Sequence, residues 1–152
     1  MIFITHILFS VLICLLFRFP ITIGLILFSI LPDVDYPYSH IGEFFSPVSN
    51  WIYKKFGHRS ITHSIYWSLL LGLLCFVETK FLTLFIGYTS HVLLDMFTYS
   101  GVKLFYPLNI SFTLFEGFVE TGKKKDKILA VLFAFLCVLA LLYWHFSPFL
   151  TS

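Results

Sequence analysis

Apolar residues fill five stretches of the chain almost without interruption: Ile7–Phe17, Ile21–Leu31, Ile65–Val77, Phe81–Phe97 and Ile128–Phe146. The last, 19 residues long, predicts an ordinary membrane-spanning helix. The other four are short against the ~20 residues a span needs, so flanking residues or tilt must extend them. Arg18-Phe19-Pro20 breaks the pattern between the first two stretches, and Pro20 suits the first turn of a new helix. Glu78-Thr79-Lys80 is the matching turn between the third and fourth. The pattern predicts an all-α bundle of about five transmembrane helices, one membrane-embedded domain over residues 1–152. The alternative is a single kinked helix over Ile7–Leu31, ~37 Å long, which would strand His6 on the opposite face from Asp33.

Threaded through a bilayer, the polar segments sort by side. With the N-terminus on one face, residues 32–63 form a loop on that same face. It then holds Lys54, Lys55, Arg59, Lys103, Lys123, Lys124, Lys125 and Lys127, against Arg18 and Lys80 on the other. Lysine and arginine concentrate on cytoplasmic loops, so the richer face is the cytoplasmic one. The same threading brings His6, Asp33 and Asp35, His58 and His63, and His91 and Asp95 to that face. Four separate segments deliver imidazole or carboxylate groups to one place.

Composition narrows the class. Hydrophobic residues make up 59% of the 152 and charged residues 12%, about half the ~25% of a soluble domain. A net charge of +2, with no basic stripe interleaved with aromatics, argues against a nucleic-acid partner. Cys14, Cys75 and Cys137 lie within apolar stretches, lack zinc-finger spacing and read as packing residues. The first stretch has the length of a signal-peptide core. It lacks a basic flank and a small-residue cleavage site, so it reads as mature structure.

The candidate chemistry sits in three motifs. In "SHVLLDMF", His91 and Asp95 are four apart and share a helix face, with the small Gly87 a turn earlier to admit a neighbouring helix. The pair can supply two ligands to one metal, one to each of two, or simply a hydrogen bond within a bundle. In "LPDVDYP", Asp33 and Asp35 lie between prolines, a context biased to extended backbone, so alternate side chains point the same way. Two carboxylates that close call for a cation. In "GHRSITHS", Ser60 or Thr62 is a helix N-cap candidate, which places His63 in the first turn and His58 in the loop before it. Arg59 offers a bidentate anion contact or serves as a positive-inside charge.

Imidazole and carboxylate donors without Cys or Met suit Zn²⁺, or Mn²⁺ where oxygen dominates. Four histidines and three aspartates exceed the ligands of one zinc. That favours two ions, or one with a second layer of residues orienting it. His40 is a second-layer candidate, and His145 belongs to an interfacial aromatic belt with Tyr143 and Trp144.

Taken together, Thr5-His6, "LPDVDYPYS" at 31–39, "HRSITHS" at 58–64 and "GYTSHVLLDMFTYSGVKLFYP" at 87–107 resemble the YdjM-type membrane-bound metal-dependent hydrolases. The motif core covers residues 5–107, leaving the helix at 128–146 as an addition. The resemblance implies a multi-pass protein of the prokaryotic inner membrane, in some bacteria under SOS-response control, with metal-dependent hydrolase activity. It assigns His6, Asp33, Asp35, His58, His63, His91 and Asp95 to the polar site. Tyr36 stands where members often have His, Ser60 where Gly is usual and Tyr99 where Pro is usual.

The expected function is hydrolysis of an ester or phosphoester of a membrane lipid or other amphiphile at the cytoplasmic face. One or two Zn²⁺ or Mn²⁺ ions would be held among the seven residues. Asp33 or Asp35 would take the water's proton and Arg59 would hold the anion. A metal-ion transporter and a non-catalytic membrane scaffold are the rival readings.

Overall fold

The computed structural model describes residues 1–150. The chain is helical throughout its regular parts: α1 Phe3–Phe17, α2 Ile23–Phe28, α3 His40–Phe44, α4 Ser46–Phe56, α5 Ile65–Leu74, α6 Phe81–Asp95 and α7 Lys124–Leu150. Two 3-10 turns, Leu31–Asp35 and Ile61–His63, link them. Among the described residues no strand forms; isolated bridges join Thr98 to Val119 and Val102 to Phe112.

The first two apolar stretches are separate helices. α1 stops where Arg18 turns left-handed at φ 57°, and its N–H bonds to the Cys14 carbonyl. Thr22 then caps α2, its hydroxyl accepting from the Leu25 N–H at 3.1 Å. α2 is shorter than the apolar pattern predicts. Its six residues reach only ~9 Å, because Ser29 and Ile30 leave the helix and Pro32 opens a 3-10 turn. Among the described residues one helix is long and apolar enough to cross a membrane, 24 residues of α7 over Lys124–Ser147. α1, α5 and α6 are shorter apolar helices, so of the five expected spans one has the full length of a crossing.

α7 runs parallel to α1, fastened at both ends. At one end Asp126 accepts the Ile2 N–H and the Thr5 hydroxyl, both at 2.8 Å. At the other, Trp144 Nε1 donates to the Leu15 carbonyl at 2.8 Å and the Arg18 guanidinium lies 3.5 Å over the indole. α6 packs against α1, α2 and α5. Its contact with α2 is close because Gly87 has no side chain: a Cβ there would come within 2.5 Å of the Leu25 carbonyl oxygen. Cys14, Leu25 and Ile86 fill the space between α1, α2 and α6, and Leu71, Tyr88 and Val92 fill that between α5 and α6. The start of α1, the end of α6 and the start of α7 therefore meet at one end of the bundle, with both 3-10 turns packed on them.

Candidate metal centre

Four side chains converge at that end. Asp33, His63, His91 and Asp95 each present one ligand-type atom, all within 4.8 Å of one another. The spacing of His91 and Asp95 on α6 acts as the sequence suggests, with Nε2 and Oδ2 3.8 Å apart. His63 Nε2 lies 3.2 Å from His91 Nε2 and 3.4 Å from Asp95 Oδ2. Asp33 Oδ1 closes the group, 3.6 Å from His91 and 3.8 Å from His63.

Local structure aims these atoms. His91 Nδ1 lies 2.7 Å from the Ser29 carbonyl, which can only accept. The proton must sit on Nδ1, so the Nε2 lone pair faces the cluster. His63 Nδ1 faces the Asp35 carboxylate at 3.3 Å, which sets the same tautomer. A carboxylate or carbonyl behind each imidazole is the usual second layer of a metal site.

Asp35 itself points elsewhere. The two aspartates were expected to be parallel on an extended strand, but they sit in a 3-10 turn and diverge. The reason lies in which residues precede proline. Extension falls on Tyr36, before Pro37, where φ is −117° and ψ 107°, while Pro32 sits in the turn's first positions, where a fixed φ is favourable. Asp35 is fully buried and collects donors from the 57–64 segment: His58 Nδ1 at 2.6 Å, the Arg59 N–H at 2.8 Å and the Thr62 hydroxyl. His58 is thereby held one layer outside the four-residue cluster. Ser60 and Thr62 do not cap the third apolar helix; Ser64 occupies that position without a side-chain bond, and His63 precedes the helix in its own 3-10 turn.

The field at the site favours a cation. Burial opposes charge on Asp35, but His63 and the hydrogen bonds of His58 and His63 outweigh it, so the carboxyl is held below its usual range. Asp33 behaves likewise, burial being outweighed by His91. Burial should strip the proton from His63, yet Asp35 and Asp95 push its pKa up to about 9. A divalent ion would meet the same field.

Of the remaining sequence candidates, Arg59 is buried and spread across the cluster's edge. Its Nε lies 2.9 Å from Asp95 Oδ2, Nη1 donates to Thr98 at 2.5 Å, and Nη2 is 3.5 Å from the Thr121 hydroxyl. His6 stacks on His91 and places Nε2 3.4 Å from Asp95 Oδ1. The α-amine of Met1 lies on that same oxygen at 2.7 Å. His40 packs edge-on against Phe3, and His145 lies on α7 beside Phe146, in the part of that helix that runs past Trp144.

Sequence reasoning missed Thr98 and Asp126, and it gave Thr62 a capping role in place of its bond to Asp35. Only Asp126 left a signal, as the lone acid in the basic run that opens a long apolar helix. Its carboxylate, besides holding Ile2 and Thr5, accepts the Gly122 N–H at 2.8 Å.

The donor set fits a divalent ion. Both ring nitrogens of His6 are buried without a hydrogen-bond partner, an arrangement rare unless something else binds them. Two imidazoles and two carboxylates are ligands of Zn²⁺ or Mn²⁺. A cavity of about 390 Å³ opens beside the cluster, lined among others by Asp33, Tyr36, His58, Arg59 and Ser100.

The sequence pattern of the YdjM inner membrane protein family matches residues 1–148. The chain is 31% identical over 104 residues to the uncharacterized protein YvsG of Bacillus subtilis, covering 66% of this chain and 64% of that one. It is 31% identical over 120 residues to the inner membrane protein YdjM of Escherichia coli, covering 70% of this chain and 59% of that one. The Shigella flexneri protein of that name matches to the same extent. The chain thus spans about three fifths of the length of the curated relatives it matches. No solved structure matches it.

Proposed function

The chain belongs to the YdjM inner membrane protein family, and on that premise we propose that it is a membrane-bound metal-dependent hydrolase of esters or phosphoesters. The observation that carries this reading is the buried set of Asp33, His63, His91 and Asp95 beside a cavity that also exposes His58 and Arg59. A divalent ion held there would supply Lewis acidity and a water acidified toward a pKa of ~7.

The chain's own residues do the rest. Ser29 and Asp35 hold the two imidazoles in the ligating tautomer. Arg59 is clamped by Asp95 and Thr98, so its least-bound nitrogen, Nη2, is the donor left for a substrate anion. A guanidinium fixed in advance stabilises charge that builds up during hydrolysis without reorganising. Asp33, the most exposed of the four, with 13% of its side chain accessible, is placed to take the water's proton.

The apolar helices that surround the cluster support a site at the membrane face, and an amphiphile whose ester reaches the cytoplasmic surface is the preferred substrate. A multi-pass topology with the site inside is supported by the lysine and arginine asymmetry and by the parallel run of α1 and α7, which puts Arg18 and Asp126 at opposite ends.

The test is elemental analysis of the purified protein beside a hydrolysis screen over lipid esters and phosphoesters. His91→Ala and Asp95→Ala should each lower bound metal sharply and abolish turnover. Full metal content in the double variant, or turnover that survives chelation, refutes the assignment.

A further inference from the structure

His6 is the ligand-type side chain that the four-residue cluster leaves out. It is fully buried, and neither of its ring nitrogens has a hydrogen-bond partner. An imidazole in such surroundings needs something at the lone pair of at least one nitrogen. Its ring lies parallel to that of His91, with centroids 3.7 Å apart and planes within 14°. Both Nε2 atoms face a single carboxylate from the same side. His6 Nε2 is 3.4 Å from Asp95 Oδ1, and His91 Nε2 is 3.8 Å from Asp95 Oδ2.

An imidazole lone pair lies in the plane of the ring. Two parallel rings that both face one carboxylate therefore aim at two points separated by about their stacking distance. Paired catalytic ions sit ~3.5–4 Å apart, and a carboxylate that gives one oxygen to each is a common bridge between them. From this geometry, and resting on the hydrolase reading above, we infer that the site is binuclear. One ion belongs to Asp33, His63, His91 and Asp95 Oδ2. The second belongs to His6 and Asp95 Oδ1, where it replaces the Met1 ammonium, with solvent or substrate oxygens completing its shell.

Charge then selects the substrate. Asp33, Asp35 and Asp95 against Arg59 and the Met1 ammonium leave one formal negative charge, and two once the ammonium is displaced, which one divalent ion neutralises. A second ion makes the site doubly positive, and a phosphate dianion restores neutrality where an uncharged carboxylic ester cannot. The second ion should therefore bind more weakly than the first and be tightened by a phosphate group.

The experiment titrates the full-length protein with Mn²⁺ in phosphatidylcholine nanodiscs, reading ions bound per chain and the electron paramagnetic resonance spectrum. Wild type should bind two ions, the second with exchange-coupled lines, and inorganic phosphate should lower the concentration needed for it by about tenfold or more. A minor share of phosphatidic acid in place of free phosphate tests a lipid-borne anion; tightening in either arm supports the charge argument. His6→Gln should retain one ion without coupled lines. Wild type that saturates at one uncoupled ion overturns the second site and leaves the first intact. Wild type that binds no ion overturns both. The spectrum of wild type decides the matter even if His6→Gln fails to fold.

Discussion

Replacing Asp35 by Asn separates a ligand from a residue that orients one. Asp35 lies 3.3 Å from His63 Nδ1 and accepts from His58, Arg59 and Thr62, all in a fully buried setting. The amide has one acceptor oxygen instead of two, and its NH₂ must face a donor. Loss of one charge-assisted hydrogen bond costs about 1.5–3 kcal/mol, so the loss of two gives a destabilisation on the order of 3–5 kcal/mol. His63 then loses the carboxylate that fixes its tautomer, and metal affinity should fall about 10–100-fold, or about 1.4–2.7 kcal/mol. Stoichiometry should not change, because Asp35 aims away from the cluster. The assay is competition with a chromophoric chelator in detergent, paired with thermal unfolding. An ion lost outright would make Asp35 a ligand, and unchanged affinity would mean that it does not set His63; either result refutes the reasoning.

Three further outcomes follow from the same geometry. His63 is pushed up to about 9 from 6.5 by Asp35 and Asp95 against its burial. In the metal-free protein its stabilisation is complete below 6.5 and lost as pH rises through about 9. An ion must displace that proton, so apparent affinity should climb about tenfold per pH unit up to roughly 9 and then level off; a flat titration removes His63 from the ligands. Arg59→Lys keeps the charge but loses the fork that reaches Asp95 and Thr98 together, so turnover on any substrate found should drop about tenfold or more with metal retained. Gly87→Ala drives a Cβ to 2.5 Å from the Leu25 carbonyl, which is backbone and cannot swing aside. It should cost about 1–3 kcal/mol in thermal unfolding and also weaken metal binding, because it pushes Ser29 away from His91.

How much of this was readable in advance differs from motif to motif. His91 and Asp95 were legible because helix periodicity is local: four residues always make one turn. The break at Arg18 was legible because proline restricts the chain by covalent geometry. The parting of Asp33 and Asp35 was not, since the four residues between Pro32 and Pro37 admit an extended or a 3-10 path and the donors on His58, Arg59 and Thr62 decide it from more than 20 residues away. The length of α2 was overestimated for a related reason. Apolar composition says which residues avoid water, whereas the end of α2 is set by Pro32 and by the need to bring the Ser29 carbonyl to His91. The ring stacking of His6 on His91 joins residues 85 apart and has no trace in spacing at all.

The clasp at Asp126 bears on when the candidate site is completed during synthesis. Every candidate ligand, from His6 to Asp95, is synthesised before residue 126 is added. Until then the backbone of Ile2 and the hydroxyl of Thr5 lack the Asp126 carboxylate, and the start of α1 is tied down only through the contacts of Met1 and His6 with α6. Insertion of α7 brings Asp126 to those groups and lays its length along α1. A ribosome stalled before α7 would thus release a chain with all of its ligands and an open, low-affinity site. Docking of α7 is what tightens the site, so the cluster stays slack until that helix has reached the membrane.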